Sequence, residues 1–142
     1  MKSEPYLALK TAMMPRDTNK YGTIFGGVLL SYIDLAAGIG AHHFIRFSGW
    51  PEHVLVTVAM DRIEFKQPVF VGDTVSFWTN VERVGNTSIT LCVSVETERN
   101  RETIQVTQAS ATFVAISESD SERSAVPLRG AGTESQTGDS SD

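Results

Sequence analysis

Cysteine is almost missing from this chain. Cys92 is the only one in 142 residues, so no intramolecular disulfide can form and no Cys/His spacing suits a structural zinc site. A reducing compartment fits that usage, and the cytoplasm is the expected location. The N-terminal stretch Met1–Tyr6 has no apolar run of the kind a signal peptide needs. Basic charge is scarce too. The formal net charge is −5, and −4 of it falls on residues 117–142, leaving a body near neutrality. No broad positive field exists to draw in nucleic acid. The rarest commodity is charge of either sign between Lys20 and Arg46. Twenty-five residues separate them, and Asp34 carries the only formal charge among them.

What is present divides into two periodicities. Ile24 to Ile45 is apolar on every helical face, and a helix of that kind belongs inside a protein. Its length also admits a membrane span. Against that reading stand a central aspartate, which costs on the order of 2.5–3.5 kcal/mol at a bilayer centre, His42 and His43 near one end, and four glycines. From Val54 onward the period is two. Strands are expected over Val54–Phe65, Thr74–Val84, Ser88–Thr97 and Ile104–Ile116, with a short first strand over Tyr6–Met13 and the helix from Gly26 to about Phe44. Gly85-Asn86 and Arg99-Asn100-Arg101-Glu102 mark turns, and short connections between long strands imply antiparallel pairing. The expected architecture is α+β: one long buried helix wrapped by a curved antiparallel sheet of about five strands. A single sheet covers one side of a helix, so a second copy of the chain is the expected cover for the rest. Residues 1–116 form the expected domain. Residues 117–142, rich in Ser, Gly, Glu and Asp, read as a disordered acidic tail.

A carboxylate kept inside must be paired, neutralised or used for chemistry. Asp34 is therefore the first candidate site residue, the structural alternative being an acid satisfied by neighbouring hydroxyls or N–H groups. Gly26-Gly27 lies at the expected helix start, where the first N–H groups have no internal partner and carry the positive end of the dipole. The glycines either let a ligand approach those amides or merely make a tight turn.

These residues also form a pattern. Pro15-Arg16-Asp17-Thr18-Asn19-Lys20-Tyr21-Gly22-Thr23-Ile24-Phe25-Gly26-Gly27 followed by Asp34 resembles the hotdog-fold acyl-CoA thioesterases. The likeness is greatest to the bacterial short- and medium-chain acyl-CoA hydrolases, which are related to the cytosolic acyl-CoA hydrolases of animals. Phe65-Lys66-Gln67-Pro68, Val71-Gly72-Asp73, Val84-Gly85-Asn86-Thr87-Ser88-Ile89 and Thr112-Phe113-Val114-Ala115 extend it over residues 6–117. The resemblance implies hydrolysis of an acyl-CoA thioester, without metal or separate cofactor, since CoA is part of the substrate. Asp34 is then the general base that activates water, or a direct nucleophile. Gly27 N–H is the main donor to the oxyanion. Asn19 positions the carbonyl or the water, or only holds its loop through an Asx turn. Thr23 stands where many relatives carry Asp or Asn; it can cap the helix or hold a water, but it cannot supply a second carboxylate.

Eight residues separate Gly26 from Asp34, roughly 12 Å along a helix axis at ~1.5 Å per residue. That is too far for both to serve one carbonyl from one helix. Two helices packed antiparallel across a two-fold axis would set Asp34 of one copy against the Gly27 end of the other. The resemblance implies the same shared site in a homodimer, assembled further into a tetramer or hexamer. Arg62, Lys66, Arg83 and the turn Asn86-Thr87-Ser88 are candidates to hold the CoA nucleotide and pantetheine; scattered bases of this kind also occur simply as solvated surface. Cys92 falls on the outward parity of its strand and reads as a packing residue, and Trp50 and Trp78 suit an acyl pocket or a subunit contact. Phe25, Tyr32 and Phe44 are candidates to limit acyl length. Two other functions fit the same fold: a non-catalytic acyl-CoA-binding module, and an enoyl-CoA hydratase or dehydratase. No membrane or nucleic-acid partner is expected.

Overall fold

The computed structural model describes residues 4–118 and 123–130. Five strands and one long helix follow in the order β1 (Tyr6–Ala12), α1 (Gly26–Phe47), β2 (Val54–Phe65), β3 (Thr74–Val84), β4 (Ser88–Arg99) and β5 (Glu102–Ile116), with a single 3₁₀ turn at Pro15–Asp17. The sheet order is β1-β3-β4-β5-β2, and every pairing is antiparallel. This is the expected α+β arrangement of one helix on one five-stranded sheet.

Local chemistry sets the element ends. The β4–β5 connection is Asn100-Arg101, both at positive φ (54° and 65°), between the paired Arg99 and Glu102. Two consecutive left-handed residues match the twist of the flanking strands and fix their register. The helix runs to Phe47, three residues past the expected end, because its terminator is Gly49 rather than the histidine pair. Gly49 has φ of 78°. Its N–H bonds Arg46 O at 3.1 Å, and Trp50 N–H bonds Ile45 O at 3.1 Å, a Schellman closure.

One stripe of α1 is buried: Leu29, Ile33, Ala36, Ala37, Gly40, Ala41 and Ile45. These positions recur every three or four residues and rest on the inner face of the sheet, where Phe77, Leu91, Val93 and Ala109 are fully covered. The opposite side of the helix, apolar in sequence, is open in a single chain: Leu35 is 53% and Phe47 83% exposed. Alternate strand residues form an outer face, on which Asn80, Cys92 and Ser110 lie side by side. Cys92 thus points outward as its parity predicts. Burial pushes its thiol pKa up, and the nearby Glu82 carboxylate pushes it further. That thiol is a poor nucleophile.

The tail expectation needs correcting between residues 123 and 130. Leu128 is completely buried. Its N–H bonds Asn86 O at 2.9 Å, and its carbonyl meets His53 Nε2 at 2.8 Å. Ala125 bridges Ile116, and the Arg129 guanidinium lies 4.8 Å from the Trp50 ring centroid. Composition hid this because Leu128, the partly buried Val126, a few backbone bonds and one cation–π contact suffice to hold a short strap inside a polar segment. The rest of the expected tail, 119–122 and 131–142, and Met1–Ser3 lie outside the described residues.

Gly40 sets how closely helix and sheet approach. A Cβ built there would lie 2.8 Å from Thr79 Cβ and closer still to Thr79 Oγ1. Thr79 is itself buried, with its hydroxyl donating to Tyr6 O at 3.2 Å. Gly40→Ala gains up to ~1 kcal/mol of helix propensity but forces the layers apart, at about 1–3 kcal/mol. We expect a net loss of stability in denaturant unfolding; an unchanged or raised midpoint would contradict it.

Candidate active site

Helix α1 begins without a side-chain cap. Phe25 is its N-cap, with φ −56° and ψ 136°. The Val28 and Leu29 N–H groups bond back to Phe25 O at 3.0 and 3.3 Å. Among the described residues, the Gly26 and Gly27 N–H groups have no such acceptor. Neither glycine has positive φ, so no turn demands them. A Cβ on Gly27 would meet nothing within 4 Å, while one on Gly26 would lie 3.2 Å from the Phe65 ring. Gly27 is thus open to space, and Gly26 borders a recess of about 300 Å³ walled by Thr23, Phe65, Lys66 and Pro68. Two unpartnered donors at the positive end of a 22-residue helix suit a developing oxyanion.

The segment before the helix is held by its own side chains. Asn19 Oδ1 accepts the Tyr21 N–H at 2.8 Å and the Thr23 N–H at 3.2 Å, and Asn19 Nδ2 donates to Thr23 Oγ1 at 2.9 Å. Of the two roles open to Asn19, the structure shows the Asx turn. Thr23 is not the cap: it sits two residues before Phe25, with its hydroxyl engaged by Asn19. The loop thereby holds the helix start beside the recess that Gly26 borders.

Asp34 lies two helical turns further on, half-buried, on the side of α1 that faces β2. Its Oδ1 accepts the Thr57 hydroxyl at 2.7 Å. It borders a shallow groove of about 540 Å³ shared with Leu35, Gly38, His42 and Phe113. Thr57 was not anticipated. It pairs with Phe113 on β5, so it faces the helix, and it is the one hydroxyl in the apolar run Val54–Ala59. That break in pattern was the available signal. A hydroxyl that donates to one oxygen fixes the carboxylate rotamer. By helical rise the seven residues from Gly27 to Asp34 span roughly 10 Å, so one chain does not bring the acid and the amides together.

The nucleotide-binding candidates are also divided. Lys66 borders the amide recess and lies 3.5 Å from Glu64. Arg62, at positive φ in a strand irregularity, pairs with Glu82 at 2.9 Å. Arg83 follows a register shift on β3. Asn86, Thr87 and Ser88 lie at the other end of β3 from the loop that carries Lys66, roughly 35 Å for eleven extended residues. Their backbone is engaged by the strap and by β5: Asn86 O accepts Leu128 N–H, and Thr87 O accepts Ala115 N–H at 2.9 Å. A single chain thus does not gather the six into one cluster. Trp50 packs edge-on against Phe44 at 5.7 Å and clamps the strap. Among the described residues no three His, Cys, Asp or Glu side chains converge as a metal site.

With this geometry in hand, similarity to known proteins is decisive. Residues 21–104 match the thioesterase superfamily. The chain belongs to that superfamily. An uncharacterised acyl-CoA thioester hydrolase of Buchnera aphidicola is 38% identical over 94 residues, covering 66% of this chain and 65% of the relative, just under two thirds of its length. A hexameric hotdog-fold thioesterase of Campylobacter jejuni is similar in structure, with a TM-score of 0.74 and 39% identity over 85% of this chain and 88% of that one. An acyl-CoA hydrolase of Staphylococcus aureus, solved with butyryl coenzyme A and coenzyme A, has a TM-score of 0.70 and 27% identity over 91% of this chain and 72% of its own.

The Thr57 hydroxyl holds the Asp34 carboxylate in one rotamer. Thr57→Val removes the donor and keeps the shape. We expect kcat to fall roughly tenfold to a hundredfold with the fold intact by circular dichroism. Activity within twofold of the parent would show that Asp34 needs no such support.

Proposed function

We propose that the protein is an acyl-CoA thioester hydrolase, releasing a free carboxylic acid and CoA. The observation that carries this is the pair of unpartnered glycine amides facing open space, in a member of the thioesterase superfamily whose α1 also presents a hydroxyl-held aspartate. The similarity to hydrolases acting on acyl-CoA supports the substrate class. CoA enters as part of the substrate, and no resident cofactor is needed.

The mechanism follows from charge. Asp34 takes a proton from water as the oxygen attacks the thioester carbonyl. Negative charge develops on the carbonyl oxygen, where the Gly27 N–H and the helix dipole stabilise it. Collapse of the tetrahedral intermediate breaks the C–S bond and expels the CoA thiolate, which takes up the proton that Asp34 received. We place Asp34 and Gly27 of one site on two subunits, because one helix holds them about two turns apart. The exposed Leu35 and Phe47 on α1 support a homodimer in which a second α1 covers them, and the hexameric relative supports further assembly. A cytoplasmic location suits the single, unactivated thiol and the coenzyme.

Two measurements test this. Thiol release across a panel of saturated and 2-enoyl CoA thioesters should show hydrolysis of saturated substrates. Tight binding without release would favour a sensor, and hydration of the enoyl double bond with the thioester intact would favour a hydratase. The second test concerns the site. Asp34→Ala should lower kcat about a hundredfold or more. Gly27→Ala should keep or slightly raise stability, since its methyl group meets open space, yet lower kcat/KM at least tenfold, because that space is where the substrate carbonyl sits. Mixed dimers of the two variants should regain part of the parent activity; verified heterodimers that stay inactive would refute the shared site.

A further inference from the structure

The loop between β2 and β3, residues 66–73, forms one wall of the amide recess and bears directly on the helix start. Ile24 N–H bonds Val69 O at 2.8 Å, and Thr23 bridges Phe70. Only two residues separate Ile24 from Gly27. The position of the catalytic amides is therefore set by the position of this loop. Backbone bonds anchor its two ends, from Lys66 and Gln67 N–H to Val106 O and between Met13 and Gly72-Asp73, and its middle is braced by a side chain.

That side chain is Arg99, at the end of β4. Its Nη2 donates to Pro68 O and to Asp73 Oδ2, both at 2.7 Å. Asp73 Oδ2 also accepts the Phe70 N–H at 2.9 Å, and the guanidinium lies 5.1 Å from the Phe70 ring centroid. The Asp73–Arg99 ion pair is the least exposed of the pairs described, at 15% and 23% side-chain exposure. One detail shows what the geometry favours. Arg99 Nε is buried with no hydrogen-bond partner, and an orphaned buried donor is unfavourable. A guanidinium placed only to pair with Asp73 would present its Nε–Nη edge to both carboxylate oxygens. This one forgoes that arrangement and reaches the Pro68 carbonyl instead, which ties the loop at two points.

We infer that Arg99 is a positioning residue for the oxyanion-binding amides, acting through Asp73, Pro68 and Val69 on Ile24 and so on Gly26 and Gly27. It touches no substrate. Its side chain determines where the donors stand, in a reaction for which a displacement of about 1 Å can cost a hundredfold in rate. Lysine cannot replace it: a single ammonium lacks the planar face that covers Phe70 and the fixed fork that spans both acceptors. The inference rests on the hydrolase reading for its effect on rate, and on the structure alone for its effect on the amides.

The test uses the full-length protein with Arg99→Lys and, as a near-isosteric second variant, Asp73→Asn. Amide hydrogen exchange and thiol-release kinetics are read on both. We expect the hydrogen-bonded amides of Ile24, Phe25 and Val28 to exchange at least about tenfold faster while the β3–β4 ladder stays protected, and kcat to fall about tenfold or more with KM altered less than about threefold. Exchange unchanged at Ile24, Phe25 and Val28, or accelerated equally throughout the sheet, would overturn the inference, as would faster local exchange with parental kcat. A parent protein that releases no thiol would refute the hydrolase reading, and the exchange pattern would still decide the role of Arg99. If Arg99→Lys does not fold, Asp73→Asn carries both measurements.

Discussion

Everything in this molecule depends on how low α1 sits on its sheet. The missing side chain at Gly40 lets the helix backbone press against Thr79, and the small buried residues Ala36, Ala37 and Ala41 continue that approach along the same stripe. The helix is then held by shape rather than by polar bonds. Once its height is set, its first amides fall level with the loop before β3, and Asp34 falls level with Thr57 on β2. A helix lifted by one methyl group would carry both chemical groups with it. Dense packing is what turns a generic apolar helix into a ruler for the site.

The two halves of the chemistry are supported by different parts of the sheet. The acid is braced by an edge strand, through a single hydroxyl. The amides are braced from the opposite direction, through a loop tied to the end of β4 by an ion pair. Each brace is short-range and directional, and neither depends on the other within one chain. Such a division suits a site completed between subunits, since each chain can preset its own contribution before the copies meet. In the proposed mechanism, preset donors need not reorganise when charge develops on the substrate.

The alternation in β3, β4 and β5 was strong enough to locate those strands to within two residues or so, because one face is buried and the other is not. Asp34, alone in its apolar stretch, and the glycine pair at the helix start were visible for the same reason: each breaks a pattern. Thr57 broke a pattern less conspicuously, being a β-branched residue in a strand where β-branched residues are ordinary. The role of Arg99 was not legible, since its partners lie 26 and 31 residues away and an arginine at the end of a strand reads as surface. The division of Lys66 from Asn86 was likewise invisible, because local spacing does not say which end of a strand a turn occupies. The strap failed for a different reason. Its two packed apolar residues, Val126 and Leu128, disappear in an average over twenty-six.

That strap changes where this domain should be said to end. Cutting after Ile116 would keep every strand and the whole helix, and by pattern nothing would be lost. Yet Leu128 is completely buried, with its backbone bonded to His53 and to Asn86 in the β3–β4 turn. The core is closed by a piece of chain with no periodicity of its own, so the boundary of the folded unit is drawn by volume and contact, twelve residues beyond the point where regular structure stops.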